Sequence, residues 1–255
     1  MSNSLKNWEN DVFYIGKHLI KAKGTLSGSY VIKDGTLCIG SSAFRACDSL
    51  TSIEIPASVT SIGSSAFYGC TGLTSITIPD SVTSIDSNAF YNCKALNQVK
   101  LPVDLITDGA FAGCENVYKI QYTYGTTGKM AARGKDTADT NYYNRTLEYQ
   151  SRSSLTTVVF DENITHIANE AFYQCYGIGS IVSKSGIPPH IMGNAFDGVP
   201  KDNFTLEVPE SAITLYQTEP GWMDFKRIAA HHELVCRPSL ACAINTETTR
   251  RLVLN

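Results

Sequence analysis

The residue types best suited to chemistry in this sequence are its eight cysteines and five histidines. Five of the cysteines share one context, three residues after the Phe of an Ala-Phe pair: Cys47, Cys70, Cys93, Cys114 and Cys175. A cysteine that recurs among apolar residues usually behaves as a small buried hydrophobe. If these segments stack as neighbouring strands, ~4.8 Å apart, disulfide bridges between them are also within reach. We therefore expect a column of buried cysteines whose redox state stays open.

Metal ligation is the second kind of chemistry that these residue types allow. His231, His232, Cys236 and Cys242 form one cluster of suitable residues, but their spacing matches no standard zinc pattern. We expect a solvated tail there. The remaining histidines are scattered along the chain and are expected to be surface or packing residues. The sequence predicts no metal and no cofactor.

Motifs and composition disfavour several other classes of function. The sequence contains no phosphate-binding loop, no HExxH and no EF-hand loop. Its net charge is −3 and 18% of its residues are charged, so it is not basic enough to favour nucleic acid or an anionic membrane surface. No apolar run approaches the ~20 residues that a membrane-spanning helix needs. We predict no enzymatic activity, no nucleic-acid partner and no membrane span.

The elements that would position any functional residue come from an internal repeat. LTSIEIPASVTSIGSSAFYGC at 50–70 returns almost unchanged in 73–93, with Phe67 and Phe90 separated by 23 residues. A fixed period of this length is typical of a solenoid. Within each copy, Ile53 and Ile55 alternate with Glu54, which is the pattern of a strand with one buried face. Stacked copies predict a parallel sheet, so the fold is an α/β-type solenoid that is mainly β.

The repeat phase divides the chain. We predict an N-terminal cap over 1–25, a solenoid over 26–228 that includes a C-terminal cap at 200–228, and a tail at 229–255 that is an extra element, a disordered end or non-native sequence. A polar insert occupies 123–154, where the next repeat starts at Leu155, 38 residues after Val117 instead of 23. Insertions in solenoids map to loops on one face, which is often the binding face.

The units LTSIxIPxSVTSIxxxAFxxC, with related lines at 96–114 and 155–175 and an ending at 195–225, resemble the BspA-like leucine-rich repeat family of bacterial surface proteins. The resemblance covers about residues 26–228. It implies a right-handed leucine-rich-repeat coil with ~23-residue repeats, capped at both ends. It also implies a secreted or surface-displayed protein that binds other proteins, such as host matrix or partner-cell proteins, and it implies no catalytic residue. The insert and the tail depart from the family pattern.

Two sets of residues are candidates for binding a protein partner. Alternation along the main strands should place one set on a solvent-facing ladder: Ser52, Glu54, Ser75, Thr77, Gln98, Lys100, Lys119 and Gln121. The second set comprises the insert tyrosines Tyr124, Tyr142 and Tyr143, because tyrosine is favoured at interfaces. The alternatives are ordinary solvated sheet positions for the first set and a plain mobile loop for the second.

The leading hypothesis is therefore a non-enzymatic protein-binding module, extracellular or displayed at a cell surface, that mediates adhesion. The alternative is a structural spacer or stalk within a larger surface protein. The first residues contain no apolar stretch of signal-peptide length, so the protein is cytoplasmic or a leader lies outside this chain.

Overall fold

The alternation of apolar and polar residues in each repeat produces one short strand per turn of a coil. The computed structural model describes residues 7–107, 109–130 and 147–231, and these residues form a solenoid of about 8 turns. The strands are β1 (Asn7–Glu9), β2 (Val12–Ile15), β3 (His18–Ala22), β4 (Gly28–Val31), β5 (Cys38–Ile39), β6 (Leu50–Glu54), β7 (Ser61–Ile62), β8 (Ser75–Thr77), β9 (Ser84–Ile85), β10 (Gln98–Pro102), β11 (Lys119–Thr123), β12 (Thr157–Phe160), β13 (His166–Ile167), β14 (Ser180–Ser183), β15 (His190–Ile191), β16 (Leu206–Val208) and β17 (Ile228–Ala230). The helices are α1 (Leu147–Gln150) and α2 (Ile213–Thr218), the latter preceded by a 3-10 turn at Glu210–Ala212.

The longer strand of each turn joins the main parallel sheet. Seven strands lie in the order β8-β10-β11-β12-β14-β16-β17, with β4 and β6 as a parallel pair beside β8. The Thr74 N–H donates to the Thr51 carbonyl oxygen at 3.3 Å, which connects the turn of β8 to β6. Buried side chains align across the sheet, with Ile76 paired to Val99 and Val99 to Ile120. The predicted parallel sheet is confirmed.

The shorter strands form a second ladder on the other side of each turn. β5, β7 and β9 pair in parallel, as do β13 and β15. At the N-terminal end, β2 pairs antiparallel with β1 and β3, and β3 continues the second ladder by pairing in parallel with β5. Within the predicted N-terminal cap, β1, β2 and β3 form three short strands.

Phenylalanine rings fill the centre of the coil. Phe44, Phe67, Phe90 and Phe111 are fully buried, and successive ring centroids lie 5.0, 4.9 and 4.7 Å apart with interplanar angles of 3° to 5°. The alanine before each ring is also fully buried, which lets neighbouring turns approach. Offset stacking of aromatic rings adds to the energy of their burial.

The cysteines lie beside this column as the sequence predicts. All five in-phase cysteines are buried, and each is a free thiol. The Cys70, Cys93 and Cys114 thiols donate to the carbonyl oxygens of Phe44, Phe67 and Phe90 at 3.1, 3.2 and 3.0 Å. The thiol therefore joins one turn to the preceding one in addition to filling space.

The turn that contains the insert closes with a different residue in place of phenylalanine. Among the described residues, α1 provides Leu147 and Glu148, both buried. The Cys175 thiol donates to the Glu148 carbonyl oxygen at 3.8 Å, as cysteines elsewhere donate to a phenylalanine. The Leu155 N–H donates to the Ser151 carbonyl oxygen at 2.7 Å, as Leu73 donates to Cys70. α1 thus occupies the position of the Ala-Phe-x-x-Cys segment, a feature that sequence reasoning did not find.

Aromatic residues cover the C-terminal end of the coil. Tyr216 of α2 and Trp222 are fully buried. The Trp222 Nε1–H donates to the Pro189 carbonyl oxygen at 2.6 Å, and the Tyr216 and Ser183 hydroxyls lie 2.6 Å apart. β17 pairs with β16 and begins at Ile228, so ordered sheet crosses the boundary predicted at residue 228.

Candidate binding face

Strand alternation brings six of the eight predicted face residues together on β8, β10 and β11. Gln98 is aligned with Ser75 on one side and Lys119 on the other, while Lys100 is aligned with Thr77 and Gln121. Ser75, Thr77 and Gln98 are exposed, and Lys100, Lys119 and Gln121 are half-buried. We call these six residues the central face. Ser52 and Glu54 are exposed on β6, which belongs to the neighbouring strand pair.

Beyond β11 the two rows of the face differ, because Thr157 and Ser180 continue the row of Lys119 with polar side chains. In the row of Gln121, the next two aligned residues are Val159 and Val182, each only 8% exposed. Farther along this row the Glu207 carboxylate lies 2.8 Å from the His231 Nδ1, at the distance of a hydrogen bond that the carboxylate accepts. The central face is therefore bounded by apolar residues beyond Gln121, whereas polar residues continue beyond Lys119.

Asp161 organises the donors at the edge of this patch. The Gln121 Nε2 lies 3.0 Å from each Asp161 carboxylate oxygen, and the Lys100 and Lys184 Nζ atoms lie 3.9 and 3.5 Å from the same carboxylate. Sequence reasoning missed Asp161 and Lys184 because they follow β12 and β14 rather than lie within them. Aligning Leu155 with Val117 is the signal that could have placed Asp161 beside Thr123.

The central face is concave. Its six residues, with the flanking backbone of Ile76 and Val99, line a depression of about 200 Å³. The Gln98 side chain is held there, because its Nε2 donates to the Tyr118 hydroxyl at 2.8 Å. The arrangement can donate hydrogen bonds from ammonium, amide and hydroxyl groups to one small acceptor-bearing group.

Tyr124 lines a second, larger depression at the carboxyl end of β11. Tyr124 is 41% exposed and Ile187 is 77% exposed, and both border a space of about 580 Å³ together with Thr165 and Pro188. The loop after Tyr124 is fixed by the Asp104 carboxylate, which accepts the N–H groups of Thr126 and Thr127, both at 2.9 Å. Burial raises the pKa of Asp104, but these hydrogen bonds lower it more, so its pKa falls below the ordinary value. Tyr142 and Tyr143 lie outside the described residues.

Two further columns of side chains run along the outside of the coil. Arg45 lies 4.5 Å from the Tyr68 ring centroid, and Tyr68 stacks on Tyr91 at 4.9 Å. All three residues directly follow the Phe of their repeat, and this shared position was the signal that could have identified the column.

On the second ladder, the rings of His166 and His190 lie 5.8 Å apart. Burial, then Lys129 and His190, lowers the pKa of His166. The sequence analysis predicted that these histidines are scattered, but the pairing of β13 with β15 places His166 beside His190.

Within the described ranges, no three His, Cys, Asp or Glu side chains are placed to share a metal ion. Over the same residues, no helix is long and apolar enough to cross a bilayer.

The stacked parallel strands, the recurring Ala-Phe-x-x-Cys segment and the polar sheet face define a leucine-rich-repeat solenoid. A family model described as BspA type Leucine rich repeat region matches 6 copies, over residues 28–130 and 145–217. Because this match covers more than half of the sequence, the chain belongs to the BspA-type leucine-rich-repeat family.

Several solved structures are similar to this chain. A leucine-rich-repeat protein of T. pallidum is 20% identical with a TM-score of 0.46, over 71% of this chain and 80% of that one. The pneumococcal vaccine antigen PcpA is 16% identical with a TM-score of 0.48, over 91% of this chain and 49% of PcpA. A leucine-rich-repeat protein of Bacteroides ovatus is 21% identical with a TM-score of 0.36, over 89% and 67%. No curated protein sequence matches the chain.

Proposed function

We propose that this chain is a non-enzymatic protein-binding leucine-rich-repeat module of a secreted or surface-displayed protein, and that it mediates adhesion to a host or partner protein. The central face carries this proposal. Six polar side chains are aligned there on three adjacent strands of a rigid parallel sheet. Solenoids use such extended surfaces for binding. The family supports the same proposal, since it is a family of repeat scaffolds.

The dimensions of the sheet indicate that a partner contacts more than the strands. Seven strands at ~4.8 Å spacing extend about 29 Å, and strands of 3–5 residues are about 10–17 Å long. The whole sheet face therefore offers roughly 300–500 Å², whereas a standard interface buries about 800 Å² per partner. The nearest additional surface is the depression beside Tyr124, at the carboxyl end of β11. We infer that a protein partner covers the central face and reaches Tyr124.

The experiment is a binding assay against immobilised extracellular-matrix and secreted proteins, by surface plasmon resonance. The face variant replaces Glu54, Thr77, Lys100 and Gln121 with alanine. The control variant replaces with alanine four exposed residues that lie in or directly beside the second ladder: Thr60, Thr83, Lys129 and His190. We expect the face variant to lose binding at least tenfold and the control variant to retain it, a difference of about 1.4 kcal/mol or more.

Equal binding by the face variant and the parent chain would refute a role for the sheet face. Failure of the chain to bind any protein in the panel would favour the alternative of a spacer within a larger surface protein. The proposed location is tested separately, by protease accessibility of the chain on intact native cells. Digestion on intact cells, or recovery from the medium, is the expected result.

A further inference from the structure

The central face contains positively charged and neutral polar side chains but no negatively charged one. Its six side chains carry two ammonium groups, two amides and two hydroxyls, and none of them is a carboxylate. The chain as a whole has a net charge of −3, so this concentration of donors does not follow from composition. We propose that the central face binds an acidic segment of the partner, with one or two carboxylate side chains seated between Lys100 and Lys119. The inference rests on the proposed protein-binding function and specifies the chemistry of the partner.

Lys119 supplies a charge that the described residues do not neutralise. It makes no ion pair within the described part of the chain. Lys100 lies 3.9 Å from the Asp161 carboxylate, which Lys184 also contacts at 3.5 Å. The Asp161 carboxylate therefore lies at the edge of the patch, beside Lys100, and not beside Lys119. An incoming carboxylate can pair with the Lys119 ammonium group, and charge-assisted hydrogen bonds of this kind are stronger than neutral ones.

The donors are also oriented before a partner arrives. Gln121 is bonded to Asp161 on one side of the depression, and Gln98 is bonded to Tyr118 on the other. Side chains that are already fixed lose less conformational freedom on binding. Asp161 thus acts as a positioning residue for Gln121 and Lys100. These contacts favour a site for a defined group over diffuse attraction to an anionic surface.

The size of the depression indicates which kind of anionic partner fits. A volume of about 200 Å³ is below the ~300–1,000 Å³ typical of small-molecule sites. It suits one or two side chains that a neighbouring polypeptide presents. The exposed Ser75, Thr77 and Gln98 at the other side of the patch can bond the backbone of that polypeptide. An acidic polypeptide therefore fits better than a free cofactor-sized anion.

The probe is a fluorescein-labelled dodecapeptide of alternating glutamate and serine, compared with the same peptide containing glutamine in place of glutamate. The test variant is K100Q/K119Q. The matched control is K21Q/K94Q, which removes two exposed lysines outside the central face. Each double substitution changes the net charge from −3 to −5, because each removes two positive charges. Fluorescence anisotropy at low and physiological salt gives the affinities.

We expect the acidic peptide to bind the parent chain about tenfold more tightly than the glutamine peptide. K100Q/K119Q should bind the acidic peptide at least about fivefold more weakly than the parent chain does. For K21Q/K94Q the affinity for the same peptide should fall by less than twofold. The preference should weaken as salt rises, since exposed charges are screened. Thermal unfolding of both variants checks that their folds are equivalent.

Three results would overturn the inference. The acidic peptide could bind no better than the glutamine peptide, both double variants could weaken binding equally, or heparin alone could show the dependence on Lys100 and Lys119. The last result would assign the site to a sulfated glycan. Failure of this inference is separable from failure of the proposed function. K100Q/K119Q could bind the captured matrix protein as well as the parent chain does, while the four-residue face variant does not. The face would then bind a protein partner without recognising its acidic side chains.

Discussion

The Tyr122 hydroxyl donates a hydrogen bond to the carboxylate of Glu148 inside the coil, in the turn where the phenylalanine column is interrupted. Tyr122 is 2% exposed and Glu148 is 3% exposed. Tyr122 also stacks on Phe160 at 5.6 Å and meets the edge of Phe172 at 6.1 Å. A polar pair therefore continues the core between Phe111 and Phe172, and it ties the insert to the strand from which it departs.

The first prediction concerns this pair. Tyr122→Phe keeps the ring but removes the donor, so we expect a loss of about 1–3 kcal/mol in the free energy of unfolding by urea. Tyr118→Phe is the matched control, because Tyr118 is 40% exposed and such surface substitutions usually change stability by less than about 0.5 kcal/mol. A double-mutant cycle with Glu148→Met, which removes the acceptor and keeps a side chain of similar length, should give a coupling energy of about 0.5–3 kcal/mol. Additive effects of the two substitutions would contradict a direct interaction.

The second prediction tests the stacked column itself. Phe67 has ring neighbours on both sides, Phe44 and Phe90, so Phe67→Ala leaves a cavity and removes two stacks. We expect a loss of about 3–5 kcal/mol in the free energy of unfolding. Phe67→Leu retains apolar volume and should cost clearly less. Similar losses in the two variants would show that the aromatic column contributes no more than any apolar filling.

The third prediction uses equivalent positions one repeat apart. Ala46 and Gly69 each precede the cysteine of their turn, and their φ angles are +57° and +70°. A left-handed conformation costs roughly 1–2 kcal/mol for a residue with a side chain, whereas glycine adopts it freely but with a larger entropy loss of about 0.4–1 kcal/mol. Ala46→Gly should therefore stabilise the chain by about 0.5–1 kcal/mol, and Gly69→Ala should destabilise it by a similar amount. No atom lies within 4 Å of a Cβ built on Gly69, so the loss would come from the backbone.

The control for this pair is Ala57→Gly. Ala57 is exposed like Ala46 but does not have a positive φ, so glycine there should only destabilise. Thermal unfolding of the three variants distinguishes the effects by sign. Stabilisation by Ala57→Gly, or destabilisation by Ala46→Gly, would contradict the explanation from backbone conformation.

The repeat predicted the fold well because apolar residues at equivalent positions of the repeats are buried. Phe67 and Cys70 could be placed inside the coil from sequence alone, and the structure buries both. The structure of the turn that contains the insert could not be predicted from the sequence. Leu147 and Glu148 replace the Ala-Phe pair there, and that pair is the signal that identifies the segment in the other repeats. The central face was predictable on β8, β10 and β11, because the apolar positions that define the repeat recur on all three strands. Asp161 was not, since its position beside Thr123, where its carboxylate meets the Gln121 side chain, depends on how the chain returns after the insert.

The last prediction concerns alkaline pH and the buried thiols. Burial raises the pKa of Cys47 from 9.0 to about 11 and that of Cys70 from 9.0 to about 12. Above about pH 9 the unfolded chain releases these protons while the folded chain retains them. The unfolded state then binds fewer protons, so stability falls as pH rises. The contribution of these thiols is fully present below about pH 9 and is lost between about pH 9 and pH 12.

We therefore expect the urea midpoint, measured under reducing conditions, to fall steadily as pH rises above about 9. Cys47→Ala combined with Cys70→Ala should make this fall shallower, because two of the groups responsible are gone. Both substitutions also lower stability at neutral pH, so the slopes are compared rather than the midpoints. Val59→Ala is the matched control, since it weakens the same fully buried core without removing an ionisable group. An equally shallow slope in Val59→Ala would show that reduced stability, rather than thiol ionisation, sets the pH dependence.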